Sequence, residues 1–180
     1  MGRAEDYAKY GSKMINCLRE ILSREFPVLL NRDKWSDPSG VSGPSKSRGR
    51  GGHFGGMIGK KLVKQKAADI YLDANKPYEQ SLGDLLFKYF IEDRELLGID
   101  FVVWDQQKSQ GGKVRSYPLP PNTCEIAKTG EKAKPWEKKS CLHRDHIHVE
   151  FKSREADEDH SSALMNTVAK VKKALAQQTP

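Results

Sequence analysis

The chain has 180 residues and a mass of 20.3 kDa, which suits one compact domain over residues 1–180 and is too small for two full ones. Lys and Arg outnumber Asp and Glu by 31 to 24, and the formal charge of +7 favours an anionic partner, either nucleic acid or an acidic polymer such as a bacterial cell wall. No apolar run approaches the roughly 18 residues of a membrane span, which argues against a membrane-spanning protein.

The first predicted element is a helix over residues 4–26, because apolar residues recur there at helical spacing and Pro27 limits its extension. Cys17 lies on the apolar stripe of this helix, so we expect it in the core. Residues 31–59 are instead rich in Gly, Ser, Arg and Pro. This composition predicts a flexible loop, which is either a solvated linker or an active-site flap that carries His53.

A short strand is predicted over residues 66–72. Alternation directs one set of its side chains to the core: Ala68, Ile70 and Leu72. Asp69 and Tyr71 then share the opposite face. Apolar groups at helical spacing predict a helix over 78–97, and a β-rich apolar run predicts a buried strand over 99–104.

Residues 106–140 are polar and rich in proline, so we expect a long insertion. Cys124 and Cys141 bracket sixteen residues of this region, and a disulfide between them would stabilise the chain by about 3 kcal/mol in the chain-entropy model. We predict that pairing. The alternative is a set of free thiols, which include Cys17, in a reducing compartment.

The segment 141–151, CLHRDHIHVEF, contains three of the five histidines and continues as an alternating polar and apolar run. Read as a strand, it directs Ile147, Val149 and Phe151 to the core. His146, His148 and Glu150 then lie on the other face. Two imidazoles two residues apart on one strand face can converge on a metal ion.

A last amphipathic helix is predicted over residues 161–177, with His160 as its solvated start. The order of elements predicts an α+β fold, a small antiparallel sheet with flanking helices and long active-site loops, whose catalytic core covers residues 66–152.

Three side chains could together bind a metal: His53 from the flap, Asp69 from the first strand, and His148 from the His-rich strand. Two imidazoles, one carboxylate and an open fourth position form a hydrolytic zinc arrangement. His146, on the same strand face as His148, is then a candidate general base or stabiliser of the tetrahedral intermediate. His143 and Asp145 are candidates to orient the ligands.

Three segments together resemble a group of zinc peptidases: AADI at 67–70, LGIDFVVW at 97–104, and HRDHIHV at 143–149. This group includes D-alanyl-D-alanine carboxypeptidases and penicillin-insensitive murein endopeptidases. More narrowly, the segments resemble a domain of secreted actinobacterial and fungal proteins that ends in a His-x-Asp-His-x-His-Val strand. The resemblance covers roughly residues 53–152.

The resemblance implies that an upstream His, an Asp and the last His of the His-x-His pair hold Zn²⁺. In this sequence these residues are His53, Asp69 and His148, with His146 and His143 as active-site partners. The family places its first His seven residues before the Asp, but Leu62 stands there in this chain. His53 lies sixteen residues before Asp69, so it can be a ligand only if residues 54–66 form an inserted excursion.

A competing hypothesis is a metal-dependent nickase or nuclease, because His-hydrophobic-His is also the metal pair of single-strand nickases and relaxases. Tyr7 or Tyr10 would then be the nucleophile, and Arg48 and Arg50 would contact the phosphate backbone. A third hypothesis is a non-catalytic domain that binds the cell wall or another partner.

The sequence therefore favours a zinc metallopeptidase, a hydrolase that cleaves a peptide bond of bacterial peptidoglycan. We expect its site of action to be secreted or periplasmic. The N-terminus lacks the basic-then-apolar order of a signal peptide, so we expect any export signal to be absent or already removed. A phage lysin or a delivered toxin or effector domain, with a possible immunity or inhibitor protein as partner, would fit the same pattern.

Overall fold

The computed structural model describes residues 9–30, 39–42, 52–53, 55–116 and 143–178. Over these ranges it is an α+β fold with three α-helices, a two-stranded sheet and a five-stranded sheet, as predicted. The predicted Cys124–Cys141 disulfide lies outside the described residues, as do Tyr7, Arg48 and Arg50.

The three helices are α1 (Lys13–Glu25), α2 (Pro77–Glu92) and α3 (Ser161–Gln178). The strands are β1 (Gly56–Ile58), β2 (Lys61–Val63), β3 (Ala67–Tyr71), β4 (Ile99–Trp104), β5 (Gln107–Gln110), β6 (Lys113–Ser116) and β7 (His146–Phe151). Short 3₁₀ turns cover Pro27–Leu29 and Glu155–Asp157.

The larger sheet has the strand order β3-β7-β4-β5-β6, and each neighbouring pair is antiparallel. The last strand along the chain, β7, is therefore inserted between β3 and β4. The smaller sheet is the hairpin of β1 and β2. Insertion of β7 places the His-rich segment directly beside the strand that carries Asp69.

One face of the larger sheet packs against the helices. The predicted alternation of β7 is confirmed, because Ile147, Val149 and Phe151 are buried while the residues between them are partly exposed. On β3, Ala68 and Ile70 are buried in the same way, and apolar residues of all three helices join them in one hydrophobic cluster. The opposite face of the sheet is thus available for polar side chains.

The helix predicted over 4–26 is interrupted within the described residues, because residues 9–10 are helical, Gly11 and Ser12 are not, and α1 begins at Lys13. Gly11 forms an isolated parallel bridge with Gln65, and the Ser12 hydroxyl then caps the helix by accepting a hydrogen bond of 3.4 Å from the Ile15 N–H. A serine is a favoured N-cap, so the helix begins at Lys13. Cys17 is only partly buried, although it packs against the core as predicted.

Two other predicted boundaries were wrong. The helix predicted over 78–97 ends at Glu92, and turns fill the interval up to Gly98, whose φ of 66° suits glycine. The insertion predicted over 106–140 begins instead with the hairpin of β5 and β6. Its turn is Gly111-Gly112, with φ of 57° and 75°, which is a strong hairpin signal that the polar composition obscured.

The flap predicted over 31–59 also contains regular structure at its end, because β1 begins at Gly56 and pairs with β2. The last helix agrees with the prediction to within one residue. Among the described residues, no helix is long and apolar enough to cross a membrane.

The packing of α2 on the sheet depends on Gly83, where a β-carbon would collide with the indole ring of Trp104. We expect Gly83→Ala to lower the free energy of unfolding by about 1–3 kcal/mol through overpacking, although alanine favours an isolated helix by up to about 1 kcal/mol. Chemical denaturation measures this change.

The matched control is Lys88→Ala on the exposed side of the same helix, for which we expect a change within about 0.5 kcal/mol. In a Trp104→Phe background, the cost of Gly83→Ala should shrink, because phenylalanine lacks the ring atoms that collide. A gain in stability from Gly83→Ala alone would contradict this description of the packing.

Candidate metal centre

Three predicted ligands meet on the open face of the larger sheet. The His53 Nε2 atom lies 3.1 Å from His148 Nδ1 and 3.4 Å from Asp69 Oδ1. The third distance, from His148 Nδ1 to Asp69 Oδ1, is 3.1 Å. The three atoms therefore form a nearly equilateral triangle, which we call the ligand triangle.

Antiparallel pairing places Asp69 and His148 side by side. They are direct cross-strand partners on β3 and β7, so their side chains project from the same face. The backbone of Asp69 is fixed from the other side by Ser42: the Asp69 N–H donates to the Ser42 hydroxyl oxygen at 2.8 Å, and the Ser42 N–H donates to the Asp69 carbonyl at 2.8 Å. Two of the three ligand atoms thus come from neighbouring strands of the sheet, and the backbone of Asp69 is held in place by hydrogen bonds to Ser42.

His53 reaches the triangle because the chain makes an excursion between it and β3. The Lys66 N–H donates to the Gly52 carbonyl at 2.8 Å, which brings the two ends of the excursion together. The hairpin of β1 and β2 lies between these two ends. A β-carbon at residue 52 would lie 2.8 Å from the Ala67 β-carbon and 2.9 Å from Glu150 Oε2. Glycine at this position lets the chain approach the sheet closely, next to the triangle.

His146 lies beside the triangle and is oriented by its neighbour. Its Nδ1 atom is 2.7 Å from Asp145 Oδ1, and its Nε2 atom is 3.7 Å from Asp69 Oδ1. A carboxylate at Nδ1 favours the proton there, which leaves the Nε2 lone pair directed toward the triangle. Asp145 therefore orients the candidate base, whereas the sequence only suggested a role in orienting ligands.

His143 contributes a fourth imidazole to the edge of the site. Its ring centre is 4.7 Å from that of His146 and 6.1 Å from that of His148. The backbone at His143 has a φ of 51°, in the left-handed region, and its carbonyl accepts a hydrogen bond of 2.9 Å from the Asp105 N–H. A strained, hydrogen-bonded turn thus directs this ring against the other histidines.

Glu150 and Phe101 lie next to His148, although the sequence assigned no role to either residue. The Glu150 carboxylate lies 3.9 Å from His148 Nε2 and is itself paired with Lys66 at 2.8 Å. Phe101 of β4 stacks on the His148 ring, with ring centres 5.4 Å apart. Alternation along β7 placed Glu150 on the correct face, but cross-strand neighbours such as Phe101 depend on a register that one sequence does not give.

The electrostatics of the triangle keep Asp69 ionised. Burial opposes its charge, but the hydrogen bond with His148 and the nearby charges of His146 and His53 prevail, so the pKa of Asp69 lies well below its ordinary range. Burial likewise opposes protonation of His148, yet its hydrogen bond to Asp69 and the nearby Glu150 carboxylate raise its pKa to about 9. The neighbouring His148 and the ion pair with Lys66 together lower the pKa of Glu150 to about 2.

The ligand triangle fits a small divalent cation. Two imidazole nitrogens and one carboxylate oxygen are typical zinc ligands, and a tetrahedral ion with bonds of about 2.0–2.1 Å separates its ligand atoms by about 3.3 Å. The three observed separations, 3.1 to 3.4 Å, bracket that value. The chain therefore contains a His-Asp-His group that could bind a metal ion.

His160 lies outside this site. Its side chain is only 18% exposed, so the prediction that it is solvated was wrong. Its Nε2 atom lies 3.4 Å from Glu155 Oε2. With the exposed Glu158 it forms a second group of possible ligands among the described residues, on the loop that precedes α3. This second group provides a control for metal-binding experiments.

A scan against protein-family profiles and searches of curated proteins and of solved structures each gave no match. The site is therefore defined by its own geometry.

The raised pKa of His148 predicts how the stability of the metal-free protein depends on pH. Its protonated form stabilises the fold fully below its ordinary value of 6.5, and this contribution is lost as the pH rises through about 9. With a chelator present, we expect the free energy of unfolding to fall by at most about 3 kcal/mol across this range. Urea denaturation at a series of pH values measures it.

His148→Asn is the control, since asparagine keeps a polar group near Asp69 but does not titrate in this range. The variant should lose most of the decline. An equal decline in both proteins would show that another group is responsible.

Proposed function

We propose that this protein is a zinc-dependent hydrolase that cleaves a peptide bond of bacterial peptidoglycan. The observation that carries the proposal is the convergence of His53, Asp69 and His148 at 3.1–3.4 Å, with His146 positioned beside them. Three protein ligands would leave a fourth zinc position open to water, and the imidazole of His146, oriented by Asp145, lies next to them where a general base is needed.

Each side chain of the site has a separate role in the proposed reaction. Zinc held by the triangle would polarise the substrate carbonyl and lower the pKa of a bound water to about 7. His146 accepts the proton of the attacking water at Nε2, while Asp145 stabilises the imidazolium through Nδ1. The same proton then passes to the leaving amine as the C–N bond breaks, so that the base returns to its starting form.

The choice of peptidoglycan rests on two supports. The zinc-peptidase resemblance includes the strand that carries His146 and His148, the strand that carries Asp69, and the segment 97–104 that forms β4. The formal charge of +7 also suits an acidic cell-wall polymer.

The ligand assignment predicts which substitutions abolish metal binding. His53→Ala and His148→Ala should each lose zinc after dialysis, because two protein ligands hold the ion far less tightly than three. Elemental analysis of the dialysed proteins gives the stoichiometry. His160→Ala should retain one zinc per chain. Loss of zinc in that variant would show that the metal binds the group near Glu155 instead.

The role of His146 predicts a separation of metal binding from catalysis. His146→Ala should keep its zinc and lose roughly 10²–10⁴ in turnover on purified peptidoglycan, the usual scale of a positioned acid or base. Asp145→Asn should lose activity less severely, since the imidazole remains. Release of new amino groups measures turnover.

Unchanged turnover in zinc-loaded His146→Ala would rule out this assignment. Nicking of single-stranded DNA by the wild type, abolished by Tyr10→Phe or Tyr7→Phe, would instead support the nuclease hypothesis.

A further inference from the structure

The end of the β1–β2 hairpin is exposed on both of its faces. Met57 pairs with Leu62 and Ile58 pairs with Lys61, so these two pairs project from opposite faces of the hairpin. All six residues from 57 to 62, which we call the hairpin tip, are exposed. Among the described residues, no atom lies within 4 Å of the place that a β-carbon at Gly59 would take. The hairpin tip therefore projects into solvent.

The hairpin tip carries a cluster of large aliphatic side chains. Met57, Ile58 and Leu62 are each between 41% and 46% exposed. Eight large hydrophobic side chains are exposed in the described part of the chain, and these three fall within six consecutive positions, while the other five lie singly. Single exposed hydrophobic residues are normal on a protein surface, but a cluster of them marks an interaction site.

The hairpin tip also lies in the segment that supplies the positive charge of the whole chain. Residues 38–68 contain seven Lys and Arg residues and no Asp or Glu, whereas the rest of the sequence has 24 of each sign. The formal charge of +7 therefore arises entirely from this segment. Lys60 and Lys61 bring two of these charges to the exposed tip, directly beside the aliphatic cluster.

The base of the hairpin, in contrast to its tip, is tied to the domain. The Gln65 N–H donates to the Tyr10 carbonyl at 2.8 Å, and the Ser12 N–H donates to the Gln65 carbonyl at 3.2 Å. The Lys64 ammonium is 3.1 Å from the Asp157 carboxylate. A two-stranded hairpin has little stability of its own, so a surface that covers the tip would add to what the base provides.

We propose that the hairpin tip docks on an anionic lipid bilayer. The aliphatic side chains of Ile58 and Leu62 enter the boundary between headgroups and acyl chains, while Lys60 and Lys61 contact the lipid phosphates. A nucleic acid or an acidic glycan would match the two lysines but would leave the aliphatic cluster in water. Docking of this kind goes beyond the proposed peptidase activity and does not depend on it.

Sedimentation with lipid vesicles tests this docking. The wild type should sediment with vesicles of equal parts phosphatidylglycerol and phosphatidylcholine, and it should stay in solution with phosphatidylcholine alone. Replacing both lysines, by Lys60→Gln with Lys61→Gln, should weaken binding about 25-fold, which is about fivefold for each lysine. Ile58→Ser with Leu62→Ser should weaken it about tenfold, because the aliphatic contact with the acyl boundary is lost.

The matched control is Lys113→Gln with Val114→Ser, which removes one exposed cation and one exposed aliphatic side chain from β6. This control should bind the mixed vesicles within about twofold of the wild type. Failure of the wild type to bind them, or an equal loss in the control and in the hairpin variants, would overturn the proposal.

Insertion of the tip is measured separately with Ile58→Trp, using vesicles whose lipids carry bromine on the acyl chains. These vesicles should quench the fluorescence of the added indole, and the wild type, with its three tryptophans, provides the background. Binding without this quenching would show that the tip stays outside the bilayer. Tighter binding to oligothymidylate or to soluble peptidoglycan fragments than to vesicles, lost with the lysines but kept in the serine variant, would also refute lipid docking.

Discussion

The register between β3 and β7 is the constraint on which the site depends. Asp69 opposes His148 only in the observed pairing, and a shift of one residue would turn one partner toward the helices. The register is held by the buried residues that alternate with the polar ones, since Ile70 and Ile147 are also direct partners. The core on one face therefore fixes the arrangement of ligands on the other.

The site concentrates charged and polar side chains around one oxygen atom, Oδ1 of Asp69. The Asp69 carboxylate has His53, His146 and His148 within 3.1–3.7 Å of one oxygen, although burial opposes its ionisation. His146 is also paired with Asp145, and His148 lies near Glu150, so the Asp69 oxygen is at the centre of a network of polar side chains. A divalent cation could bind all three atoms of the ligand triangle together, so the arrangement is compatible with a metal site.

Much of this could be predicted from the sequence, because period-2 alternation determines which side chains share a strand face. That rule placed His146, His148 and Glu150 together, and it placed Asp69 opposite the core. It could not give the neighbours across the sheet, so the contact of Phe101 with the site was missed. Nor could it show that the chain between His53 and β3 forms a closed hairpin, because short polar strands such as β1 and β2 have weak signals.

Helix ends were misplaced where a cap or a bridge overrode the apolar pattern, as at Ser12.

Anomalous diffraction from crystals grown with Zn²⁺, recorded on both sides of the zinc absorption edge, shows whether the ligand triangle binds zinc. We expect one strong peak within about 2.0–2.2 Å of His53 Nε2, Asp69 Oδ1 and His148 Nδ1, with His146 outside bonding distance. No peak at the triangle, or a peak bound by His146 in place of His53, would contradict it.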